Sequence, residues 1–216
     1  MTSTFDPLCL DAPGHGNNTN GVRSLPQCAD DIAAATQPGI LVGYSMGARM
    51  ALHVALRHPT MVAQLVLISG TPGLVTEAER TARRKSDNDL AERIETIGLS
   101  AFLDEWLALP IFSGLDEKTN QREDRLRNTA KGLADSLRCA GTGTQEPQWS
   151  NLQQLSMPVH LVVGEHDEKF TAIAEDMKPL ISTSEMTVVA NAGHTVHLEN
   201  PTATGQLLDS VILRND

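Results

Sequence analysis

The sequence predicts an α/β fold, a mainly parallel sheet flanked by helices and carrying a helical insertion. Three observations predict it. Short apolar runs recur at residues 39–43, 64–70, 158–165 and 185–190, and stretches with apolar residues at helical spacing separate or follow them. That alternation is the pattern of parallel strands joined by crossover helices. The first run ends on "GYSMG" (43–47) and passes directly into a helical pattern. Between the second and third runs, residues 75–140 are charged and helical in texture, with no strand pattern.

Taken in order, "PLCLD" (7–11) is a short apolar run that breaks on "APGHGNNTNG", a loop rich in Gly, Pro and Asn. "SLPQCADDIAAAT" (24–36) reads as a short helix with Ser24 as its cap. "GILVG" (39–43) is a buried-type strand. "MGARMALHVALRHP" (46–59) is a helix that ends at Pro59, and "QLVLISG" (64–70) is the next strand. "TEAERTARRKSDNDLAERIETIG" carries complementary charges at i, i+4 spacing. "SAFLDEWLALPIF" is amphipathic, and "EKTNQREDRLRNTAKGLADSLRC" is helical again. "AGTGTQEP" (140–147) is the linker back to the sheet. "PVHLVVGE" (158–165) and "EMTVVA" (185–190) are strands, while "KFTAIAEDMKPLI" and "PTATGQLLDSVIL" (201–213) are helices. The expected organisation is a core of residues 1–74 and 141–216, with residues 75–140 inserted as a helical cap.

Composition narrows the function. The 216 residues carry 27 Asp and Glu against 17 Lys and Arg, a formal net charge of −10. With no basic run, this argues against a nucleic-acid partner. An anionic ligand would need a local cluster of arginines against that field. No apolar run approaches bilayer length, so no membrane association is expected. The start of the chain has no secretory pattern. Three widely spaced cysteines with no metal-type spacing read as reduced thiols. The expectation is a soluble cytoplasmic protein, a monomer or weak homo-oligomer, with no cofactor and no metal.

The chemistry centres on "GYSMG". A serine between two glycines, after a strand and before a helix, matches G-x-S-x-G in the context that motif requires. A sharp strand-to-helix turn exposes the Ser45 hydroxyl and crowds its neighbours, so Gly43 and Gly47 are expected to lack side chains for steric reasons. The first helical N–H groups, that of Met46 among them, point toward any negative oxygen beside the serine. "LVVGEHDEKF" places Asp167 after a strand, and "TVVANAGHTVHLENP" places His194 after the next. Ligand sites in parallel sheets lie beyond the carboxyl ends of strands, so the three side chains converge. The order Ser, Asp, His is that of the α/β-hydrolases, with His194 taking the serine proton and Asp167 orienting the imidazole. Glu165 and Glu168 are rivals to Asp167, and His197 is the rival to His194. Without a third ligand, "HTVH" is a poor metal site.

"GYSMGAR", "SGTPGLVTEAERTARRKSD", "VVGEHDEKF" and "AGHTVHLENP" together resemble the 2-succinyl-6-hydroxy-2,4-cyclohexadiene-1-carboxylate synthase (MenH) family, from about Leu8 onward. The resemblance implies a lyase of menaquinone synthesis on a hydrolase scaffold, in which the triad serine acts as base and pyruvate leaves. It also implies a polyanionic small-molecule substrate. By motif matching it places Arg49, Arg83 and Arg127 on substrate-binding positions, and Tyr44 and Trp106 on the pocket lining. Arg84 and Arg125 read instead as solvated helix residues. Two other readings are an ester, thioester or carbon–carbon bond hydrolase on the same triad, and a non-catalytic protein that binds an anion.

The chain departs from the family at its beginning. The family carries strands and an "HGF"-type loop before "PGHG", and no "HGF" occurs here. That loop supplies a second oxyanion N–H, and losing one such donor costs about 10²–10³ in rate. We therefore expect the natural protein to begin upstream of Met1. We also expect residues 7–11 either to pair with 39–43 or to hang loosely.

Overall fold

The computed structural model describes residues 7–18 and 21–213. Four parallel strands form one sheet: β1 (Gly39–Tyr44), β2 (Val62–Ile68), β3 (Val159–Gly164) and β4 (Ser184–Val189), in the order β1-β2-β3-β4. The register pairs Tyr44 with Ile68, Ile68 with Val162, and Gly164 with Val189. β1 and β2 therefore end level with each other, and β3 and β4 run two residues further at the carboxyl edge.

Burial follows position in the sheet. Every residue of β3 is buried, which suits an apolar run with neighbours on both sides and layers on both faces. β1 lies at the edge and alternates instead, leaving Ile40 37% and Val42 42% exposed. Residues 7–11 do not cover that edge. They form no strand, and Leu8 is 71% exposed. The first of the two courses the sequence left open, pairing with 39–43, does not occur, and Asp11 is held by the Asn17 N–H and by Asn18 Nδ2, each at 2.9 Å.

Helices α1 (Leu25–Ala35), α2 (Met46–Arg57) and α7 (Glu168–Met177) pack on one face of the sheet, where Ala29, Leu52, Leu65, Leu161 and Met177 join one apolar cluster. The other face carries a second cluster, with Val66, Val162 and Val189 against Val211 of α9 (Pro201–Leu213). Burying each such side chain contributes about 1.5–3 kcal/mol. The Ser24 backbone N–H donates to Gln27 Oε1 at 3.0 Å, so the expected cap of α1 forms as half of a capping box.

Between β2 and β3 the chain builds α3 (Glu77–Ile97), α4 (Leu99–Leu107), α5 (Arg122–Arg125) and α6 (Ala130–Ala140). These helices make a small core of their own from Ile94, Phe102 and Leu103. The long helical stretch expected over 117–139 is broken. Thr129 caps α6 by accepting from the Gly132 N–H at 3.0 Å, and α5 is a single turn before it. The expected linker is an anchored turn. Gln145 is buried, the Gln148 N–H donates to Pro72 O at 2.8 Å, and Trp149 Nε1 donates to Gly73 O at 2.9 Å.

Candidate active site

The corner at Ser45 has a steric cause. Ser45 adopts φ 49°, ψ −107°, a left-handed backbone that a serine holds only where its surroundings compel it. Its N–H donates to Ile68 O at 2.8 Å, so β2 fixes the corner from behind. Gly43 must be glycine, because a Cβ there would overlap the Gly47 carbonyl and lie 2.7 Å from Ala48 Cα. The same necessity was expected of Gly47 and does not hold, since a Cβ there would meet nothing within 4 Å. Gly47 offers its backbone to Gly43, and its own lack of a side chain is not what closes the turn.

Three side chains meet beyond the carboxyl edge. His194 Nδ1 lies 2.7 Å from Asp167 Oδ2, and His194 Nε2 lies 3.1 Å from Ser45 Oγ. A carboxylate only accepts, so Nδ1 carries the proton and Nε2 is left to accept from the serine hydroxyl. Asp167 is 8% exposed and His194 5%, so the pair is shielded from water. Asp167 caps α7, with Oδ1 accepting from the Phe170 N–H at 3.4 Å. The His194 ring lies between Phe170 and Tyr44, with centroids at 4.5 and 5.4 Å.

The relay is made by Asp167 and His194 and not by their rivals. Glu165 accepts from the Asn191 N–H at 2.8 Å, and Glu168 is exposed in the first turn of α7. His197 lies beside Tyr44, with ring centroids 4.5 Å apart. Burial and the nearby Arg125 charge hold its pKa below the ordinary histidine range. Burial likewise raises the Tyr44 phenol, which stays neutral. Met46 opens α2, so its N–H lacks an intrahelical acceptor.

The arginines divide. Arg49 is 7% exposed, and its Nη1 donates to Ala140 O at 2.7 Å. Burial, with the positive charge of Arg83 next, pushes its pKa down to about 10, so it remains a cation at neutral pH. Arg83 donates from Nε to Asp87 Oδ1 at 2.7 Å. Asp87 Oδ2 is buried with no hydrogen-bond partner among the described residues. Arg49, Arg83 and Asp87 thus form two cations around one buried carboxylate.

Arg127 and Trp106 each have partners within the helical segment. Arg127 is exposed and donates to Asp124 Oδ1 at 2.8 Å, with Asp11 3.8 Å away. Trp106 packs against Phe112 in a tilted arrangement with ring centroids 4.3 Å apart, and over it lies Arg125, whose guanidinium carbon is 5.0 Å from the ring centroid. Arg125 is half-buried, no carboxylate pairs with it among the described residues, and its charge bears on Tyr44 and His197. Sequence reading set Arg125 aside as a solvated residue. The signal that could have found it is the aromatic seat supplied by "DEWLALPIF".

Among the described residues, no cluster of three His, Cys, Asp or Glu side chains could hold a metal ion. None of the described helices is long and apolar enough to cross a membrane.

Residues 2–206 match the model of the alpha/beta hydrolase family. Over 208 residues the chain is 38% identical to a putative 2-succinyl-6-hydroxy-2,4-cyclohexadiene-1-carboxylate synthase of Bacillus subtilis strain 168, covering 94% of this chain and 76% of the relative. It is 34% identical over 216 residues to the synthase of Enterobacter sp. strain 638, covering 96% of this chain and 82% of the relative. Among solved structures, MenH from S. aureus superposes with a TM-score of 0.89 at 29% identity, over 95% of this chain and 82% of that one.

Proposed function

The chain belongs to the 2-succinyl-6-hydroxy-2,4-cyclohexadiene-1-carboxylate synthase family of α/β hydrolases, and from that premise we propose that it is a lyase of menaquinone synthesis. It eliminates pyruvate from 2-succinyl-5-enolpyruvyl-6-hydroxy-3-cyclohexene-1-carboxylate. The observation that carries this reading is one Ser–His–Asp relay in the same fold as a buried, cationic Arg49 whose nearest charged influence is the half-exposed Arg83.

Each part has a task. Ser45 Oγ passes its proton to His194 Nε2 and takes a proton from the substrate ring. The electron pair left on carbon forms the new double bond and expels the enolpyruvyl oxygen, and the departing enolate takes up a proton to become pyruvate. Asp167 stabilises the imidazolium that forms between these steps. The Met46 N–H supports a developing negative oxygen. Arg49 and Arg83 bind substrate carboxylates, for which a planar guanidinium offers paired donors. Arg127 reaches a carboxylate by giving up Asp124. Tyr44 and Trp106 line the pocket, and residues 75–140 form its cap. Among the described residues nothing pairs with the outer edge of β1, and its exposed Ile40 and Val42 favour self-association into a weak homo-oligomer. The three unpaired thiols suit the cytoplasm.

Pyruvate release from the enolpyruvyl substrate, coupled to lactate dehydrogenase, tests the proposal. Release that disappears in Ser45→Ala is the expected result. No release, together with a burst of product from an activated ester, would replace the lyase by a hydrolase.

A further inference from the structure

His194 carries both hydrogen bonds of the relay, yet it sits in a loop rather than in a strand or helix. One carboxylate ties down that loop on both sides of the histidine. Glu199 Oε2 accepts from the Gly193 N–H at 2.7 Å. Glu199 Oε1 accepts from the Thr195 N–H at 2.9 Å and from the Thr195 hydroxyl at 2.6 Å. The two N–H groups flanking His194 therefore end on the two oxygens of one side chain. From behind, the His166 N–H donates to Ala192 O at 2.9 Å. A Cβ at Gly164 would overlap the carbonyls of Ala192 and Gly193, so the loop lies tight against the end of β3.

A second observation meets the first at the same carboxylate. Gly114 belongs to the helical segment between β2 and β3 and follows Phe112, which packs on Trp106. A Cβ at Gly114 would overlap Glu199 Oε2 and lie 2.6 Å from Glu199 Cδ. The segment thus rests bare backbone on the group that holds the histidine loop.

We propose that Glu199 is a positioning residue for His194, and the joint through which the Phe112–Gly114 turn of the helical segment bears on the relay. It touches no reacting atom in the proposed reaction. It sets where His194 Nε2 stands relative to Ser45 Oγ, and seating of the segment sets where Glu199 stands. This inference rests on the reading of His194 as the relay between Ser45 and Asp167.

Glu199→Gln tests it, since the amide keeps the shape but replaces one acceptor oxygen by a donor, so one of the two flanking N–H groups loses its partner. Misplacing a catalytic group by about 1 Å costs up to about 100-fold in rate, and a smaller displacement correspondingly less. The expected result is a kcat for pyruvate release lower by up to about 100-fold, with KM changed by less than about threefold. The second readout is the low-field proton resonance of His194 Nδ1–H, which reports its hydrogen bond to Asp167 and needs no substrate. It should move in Glu199→Gln. Gly114→Ala, which presses on the carboxylate from the segment side, should move the same resonance in a chain whose own Glu199 is intact. If kcat falls while the resonance stays in place in both variants, or if both kcat and the resonance are unchanged, the proposal is overturned. Should wild-type protein release no pyruvate while both variants still shift the resonance, the joint stands and the lyase reading falls. If Glu199→Gln does not fold, Gly114→Ala decides alone.

Discussion

The sheet's carboxyl edge and the helical segment above it hold their functional groups in different ways. Ser45, Asp167 and His194 each follow the end of a strand, and their backbones are fixed by neighbours such as Ile68 O behind Ser45. Two arginines of the segment are held by acids: Arg83, on α3, by Asp87, and Arg127, in the turn after α5, by Asp124. Groups at strand ends are preorganised by the core. Groups in the charged segment are stored in ion pairs that a ligand carboxylate can replace. The first arrangement suits chemistry and the second suits binding, so mutations in the two regions should separate kcat from KM.

The largest break falls at the sheet edge. Ser45→Ala should lower kcat for pyruvate release by about 10³-fold or more, because members of such a relay act as a unit. Steady-state kinetics with stability checked by thermal unfolding reads this. Next is the corner itself. Gly43→Ala forces a Cβ into the Gly47 carbonyl and should cost about 3 kcal/mol, whereas Gly47→Ala, facing open space, should be neutral or stabilise by up to about 1 kcal/mol. Urea titration of the pair measures the difference, and equal losses would mean the corner is not set by Gly43.

Effects in the segment should be smaller and should appear in KM. Arg83→Ala removes a charged donor worth about 1.5–3 kcal/mol, so KM should rise about 10–100-fold with kcat nearly kept. A loss confined to kcat would undo the division drawn above. Arg125→Ala should weaken binding more than Arg127→Ala, since Arg127 must leave Asp124 to reach a ligand. The smallest effect is expected at Arg93 and Glu105, an exposed ion pair with both side chains about half accessible. Arg93→Ala should change stability by only about 0.2–1 kcal/mol and leave kinetics alone.

What could be read from the sequence follows the same division. The triad was legible because strand ends are marked by apolar runs and the corner by its glycines. The place of Arg49 on the first turn of α2 was legible because α2 starts at the corner, although its acceptor, Ala140 O, lies 91 residues away and leaves no local trace. The arginines of "REDRLRN" were not legible as individuals. Three arginines share a short stretch, and the break before Thr129 decides which faces inward. Neither periodicity nor charge signals that break. Glu199 was hidden for another reason. In "AGHTVHLENP" it reads as a solvated acid, and only the curl of the chain into α8 (Val196–Glu199) brings it back under His194. The exposure of residues 7–11 was not legible either, because an apolar run alone does not show whether it pairs with a neighbouring strand.

The strand-end placement of the relay has a consequence for how the protein acquires activity. Asp167 and His194 are separated by 27 residues and Ser45 and His194 by 149, with parallel crossovers between them and no hairpin. No local piece of chain contains the relay. Closing so long a loop brings its entropic cost before any contact compensates it, which makes such topologies slow to fold. Refolding followed by helix signal and by catalysis should therefore run on two clocks, with helices such as α3 and α6 regaining their signal first and turnover returning only when β1 and β4 are joined through the whole sheet.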